Sequence, residues 1–86
     1  MLKLEDLKEI IHNEGLTRKD KLLLVLSVDS ETAKSTQTIR EIASQAGLRE
    51  VLKWNISSIL ATAKGLAVHL KEGWYLIDLN FVYIYL

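Results

Sequence analysis

T-I-R-E-I-A-S-Q-A-G-L-R-E-V-L-K-W-N-I-S-S-I-L-A-T-A-K-G-L-A-V-H-L-K-E-G-W-Y-L, from Thr38 to Leu76, is the stretch on which the fold turns. It reads as a short capped helix, a turn, a longer helix and a β-hairpin. Thr38 and Glu41 stand at the spacing of a capping box, in which the hydroxyl accepts from a backbone N–H three residues on and the carboxylate answers it. Ile39, Ile42, Ala43 and Ala46 then recur at helical steps on one face, and Gly47 offers the permissive backbone on which helices end. Beyond it, Leu52, Ile56, Ile59, Leu60 and Ala63 fall within a stripe of about 100° if the segment is one helix. Trp54, Ser57, Ser58, Ala61 and Thr62 occupy the other side. Asn55 is placed to cap the second half if the segment breaks there.

After Gly65 the period changes. Leu66, Val68 and Leu70 alternate with Ala67, His69 and Lys71, and Trp74 and Leu76 resume an apolar run, which predicts a hairpin with its tip at Lys71-Glu72-Gly73. Trp74 is expected to plug that hairpin onto the helices.

Two helices joined by a glycine turn and followed by a hairpin resemble the winged helix-turn-helix superfamily. Ala43 and Gly47 sit four apart, as the small residue of the first helix and the turn glycine do in that superfamily. The position where it usually places a β-branched core residue falls on Lys53, and an insertion of about one helical turn over Arg49–Leu52 restores the register with Ile56 and Ile59 inward. The resemblance implies a mainly α (α+β) fold, with three to four helices and a C-terminal hairpin wing. It also implies duplex DNA as partner, in a transcriptional regulator or the DNA-reading subunit of a larger system. Arg49, Lys53, Ser57, Ser58, Thr62 and Lys64 would then face the groove and its phosphates, and Lys71 the backbone at the wing tip. Winged helices also serve as protein-interaction adaptors, and that is the alternative.

Outward from this stretch, the chain reads as a single domain over residues 1–86. It divides into a helical scaffold (1–29), the helix-turn-helix (38–64), the wing (66–78) and an apolar segment (79–86). Residues 1–14 read as an amphipathic helix with Leu4, Leu7, Ile10 and Ile11 on one face, stopped by Asn13-Glu14-Gly15. Thr17 can cap the next helix with Asp20, and Leu22 to Val28 is apolar nearly all round, as befits a helix at the centre of the core. Residues 29–35 read as a loop, and Ser35 to Thr38 as a short strand. The run Phe81-Val82-Tyr83-Ile84-Tyr85-Leu86 is uncharged and β-prone, an aggregation hazard unless covered. It is expected to complete the core, to form a homodimer interface with the first helix, or to mark a piece cut from a longer chain. Trp54, either packed internally or exposed as an anchor, and Phe81, Tyr83 and Tyr85 are the candidate partner-binding residues.

Composition narrows the function. Eighty-six residues support one small core. Cysteine is absent, which excludes disulfides, thiolate metal sites and cysteine nucleophiles. With no signal-peptide pattern and no run approaching the ~20 apolar residues of a membrane span, a cytoplasmic protein is expected. Net charge is zero, yet six cations face four anions between Glu31 and Ile77, against five and seven elsewhere. That asymmetry fits weak binding to a polyanion. His12 and His69 lie on different elements, and no phosphate-cradling loop or tuned carboxylate pair is present. No enzyme activity, cofactor or metal is expected.

Overall fold

A computed structural model describes residues 2–78. Within them lie four α-helices, α1 (Leu4–Ile10), α2 (Arg18–Leu26), α3 (Thr36–Gln45) and α4 (Ile56–Ala61), and a 3-10 helix, η1 (Arg49–Lys53), between α3 and α4. The strands β1 (Ala67–Leu70) and β2 (Gly73–Leu76) pair antiparallel, giving an α+β fold with a two-stranded hairpin.

α2 is the centre. Its start is fixed by reciprocal bonds, Asp20 N donating to Thr17 Oγ1 at 3.1 Å and Thr17 N to Asp20 Oδ2 at 3.2 Å. Leu22 through Leu26 are then buried, and α3, α4 and β2 pack against the helix that carries them. α1 is shorter than its amphipathic pattern suggests: Asn13 Oδ1 accepts from Gly15 N at 2.8 Å, offering the backbone a turn in place of another helical bond. Leu7 and Ile11 are buried in the core, and Leu4 and Ile10 of the same stripe pack partly against it.

α3 begins a turn earlier than the Thr38–Glu41 pattern predicts. Ser35 is its N-cap, accepting from Thr38 N at 3.2 Å, while Glu41 accepts from Gln37 Nε2 at 3.3 Å instead of returning to Thr38. Ser35 to Thr38 therefore form no strand. The extended contact falls on Lys34, whose N donates to Trp74 O at 2.8 Å and whose O accepts from Trp74 N at 2.7 Å. At its far end α3 closes with Leu48 N bonded to Ala43 O at 2.9 Å and Gly47 N to Ser44 O at 3.0 Å. This double bond set needs a left-handed residue, and Gly47 supplies it with φ 93°.

The longer helix expected after Gly47 is broken. Residues 49–53 form η1, and α4 starts afresh at Ile56 with Asn55 Oδ1 accepting from Ser58 N at 3.2 Å. In a 3-10 turn successive residues rotate by about 120°, not 100°, so the inward position moves. Val51 enters the core and Leu52 is 59% exposed, which corrects the stripe that places Leu52 inside. Ile56 and Leu60 are buried and Ile59 packs partly against the core.

The hairpin pairs Ala67 with Leu76, Val68 with Tyr75, His69 with Trp74 and Leu70 with Gly73, leaving Lys71-Glu72 as the turn. Ala67, Trp74 and Leu76 face the helices, so Val68 and Leu70 turn outward, 37% and 41% exposed. Gly73 presses against the Lys34 backbone: a Cβ there would lie 2.3 Å from Lys34 O.

Candidate functional site

Most of the candidate residues are exposed along the chain from η1 through α4 to the hairpin turn. The Asn55 cap fixes where α4 starts, and burial of Ile56 and Leu60 fixes its rotation. Ser57 and Ser58 therefore stand exposed on its outer side, and among the described residues neither hydroxyl has a hydrogen-bond partner. Thr62 is also exposed, but its hydroxyl donates to Ile59 O at 2.6 Å, leaving only lone pairs to offer a ligand.

Lys53 stands before α4, Lys64 just after it, and Lys71 in the hairpin turn, all exposed. From Val51 to Lys71 the chain carries these three lysines and no acidic residue. Arg49 is exposed at the start of η1, and its neighbour Glu50 pairs with Lys21 Nζ at 3.8 Å. At the hairpin turn Glu72 follows Lys71 directly, so the local charge there is balanced. The site is thus a shallow hydroxyl-bearing helix face with cations at either end.

Trp54 does not belong to that surface. It is 6% exposed and lies under the Arg18 guanidinium, whose central carbon is 5.2 Å from the ring centroid. An exposed partner anchor at Trp54 is therefore corrected: the residue sits between η1 and α4 in extended backbone, and its ring is buried instead of following α4's outer side. Phe81, Tyr83 and Tyr85 lie outside the described residues.

The sequence reading missed Lys34. It is 3% exposed, and its ammonium donates to Leu26 O at 3.2 Å, Asp29 O at 2.8 Å and Thr32 O at 3.1 Å. Burial pushes its pKa below the ordinary 10.5, with the negative charge of Asp29 acting in the opposite direction. One residue so ties the C-terminal end of α2 and the 29–33 loop to β2. Nothing local marks it, because a lysine between a polar loop and a helix cap is ordinarily solvated.

His12 Nε2 lies 3.3 Å from Ala46 O, and His69 stacks on Trp74 with centroids 4.8 Å apart. Among the described residues no three His, Cys, Asp or Glu side chains converge as metal ligands, and no helix is long and apolar enough to cross a membrane. Comparison with protein-family models, with curated proteins and with solved structures finds no match.

Proposed function

We propose that the chain is a winged helix-turn-helix domain that binds duplex DNA, as a transcriptional regulator or the DNA-reading part of a larger assembly. The order α2, Lys34, α3, α4, β1, β2 supports the fold reading. In it the Lys34–Trp74 bridge stands where many winged helices have a short first strand, on the edge of β2 away from β1. α4 is then the helix offered to the groove and Lys71 the residue at the wing tip.

The observation that carries the functional reading is the exposed face of α4, with Ser57 and Ser58 free between Lys53 and Lys64 and no acid from residue 51 to 71. Phosphates are neutralised by such lysines, and short hydroxyls donate to phosphate or base edges with little base preference. With Arg49 and Lys71 added, about four cations reach the partner, so log affinity should fall with log salt at a slope of about −3.6. Fluorescence anisotropy with mixed-sequence duplex DNA at low salt tests this. The variant carrying Lys53→Ala and Lys64→Ala should bind more weakly with a slope shallower by about 2. Absence of salt-dependent binding by the parent chain would refute the reading.

The alternative, a protein-interaction adaptor, is favoured by one observation: Leu52, Val68, Leu70 and Ile77 are large apolar side chains left exposed on a chain of zero net charge.

A further inference from the structure

Among the described residues, the hairpin is bonded backbone to backbone to the helical part of the chain at two places. At its base, Ala63 O accepts from Leu66 N and Ala67 N, both at 3.1 Å. Beside its turn, Trp74 exchanges two bonds with Lys34, at 2.7 and 2.8 Å. The first attachment is local and forms wherever α4 ends. The second joins distant parts of the chain, and it holds only while the backbone of Lys34 is itself held in place.

What holds it is the turn over residues 29–33. Asp29 has φ 51°, in the left-handed region that an L side chain adopts at a cost. Its carbonyl accepts from Thr32 N at 3.1 Å and from Lys34 Nζ at 2.8 Å. The same ammonium donates to Thr32 O at 3.1 Å and to Leu26 O at 3.2 Å. Both ends of the turn are thereby drawn to the end of α2, and only Ala33 separates Thr32 from the bridge.

We propose that Lys34 is a latch: its ammonium holds the 29–33 turn in this left-handed form and so keeps the bridge to Trp74 shut, fixing where the hairpin stands against the helices. Without the ammonium the turn relaxes and the bridge opens, while the base stays bonded to Ala63. Lys34 is then a positioning residue for Lys71, three residues from Trp74. That consequence rests on the DNA-binding reading, whereas the latch does not.

Amide hydrogen exchange, read residue by residue by NMR on the parent and on Lys34→Met, tests the latch. A purely global loss of stability speeds the slowest amides by one common factor, so α2 serves as the reference. The amides of residue 34 and Trp74 should speed up at least about tenfold more than those of Leu24 and Val25, while Ala67 follows α2. Should Lys34→Met fail to fold, Lys34→Gln, which keeps an amide donor, repeats the comparison. The proposal is overturned if the bridge amides change no more than those of α2, or if Ala67 is released with them. With duplex DNA, Lys71→Ala should make the salt slope shallower by about 1 in the parent and leave it unchanged in Lys34→Met. Equal effects in both backgrounds overturn the latch. A parent that binds no DNA overturns the DNA-binding reading instead, and hydrogen exchange alone then decides the latch.

Discussion

Replacing Lys34 with methionine should unfold the domain more easily, although it removes a buried charge. Methionine keeps most of the volume and deletes the three N–H donors. Asp29 O and Thr32 O are half-buried and can turn to water, whereas Leu26 O, at the end of the central helix, is enclosed. A buried carbonyl left without a donor costs about 1–3 kcal/mol, so about 2 kcal/mol is expected for Lys34→Met. In a domain of this size that corresponds to a fall of about 10 °C in Tm. Urea unfolding followed by the fluorescence of Trp54 and Trp74 measures it. The opposing effect is relief of ammonium desolvation, which makes some buried ion replacements neutral or stabilising. It is outweighed here because Leu26 O stays enclosed after the substitution and has no other donor to turn to among the described residues. The pH dependence is a second check. With the folded pKa lowered by burial, the native state releases its proton before the unfolded chain does. Stability should therefore rise as pH climbs from the lowered value toward 10.5, and be lost again as pH falls back through it. Lys34→Met should lack that component. A variant within about 0.5 kcal/mol of the parent, or one with the same alkaline pH slope, would refute the account.

Three further substitutions separate neighbouring claims. Gly73→Ala places a Cβ against the Lys34 carbonyl at a φ of 137°, and should cost at least ~2 kcal/mol in urea unfolding while opening the bridge to β2. Asn55→Ala removes the cap of α4 and should cost about 1 kcal/mol, with the Ser58 amide, which donates to the cap, becoming faster by hydrogen exchange. Leu52→Ser should change stability by less than about 0.5 kcal/mol, because the side chain is outside; a loss of about 2 kcal/mol or more would restore the continuous-helix reading.

The local signals were the legible ones. Thr17 with Asp20, Asn55 before Ile56 and Gly47 after α3 each act within four residues, so their chemistry can be read without knowing what surrounds them. Thr38 with Glu41 has the same spacing as Thr17 with Asp20, yet Ser35 captures the Thr38 N–H first and the helix starts upstream. Competing caps a turn apart look alike in sequence, and which one wins is settled by where the preceding residue is held. Here Lys34 is pinned to Trp74, which leaves Ser35 to turn the chain.

By itself, the sequence determined the order of helices and hairpin, the exposed Ser57 and Ser58, and the run of lysines without acids from residue 51 to 71. Tertiary packing decided which side of each uncertain element faces inward. Alternation in β1 defines two faces but does not rank them, and Trp74 and Leu76 packing on the helices turned Val68 and Leu70 out. An inserted turn can wind at about 100° or 120° per residue, and the winding found here buries Val51 and Trp54 and exposes Leu52. Periodicity is a property of one element, whereas burial depends on the second surface that meets it.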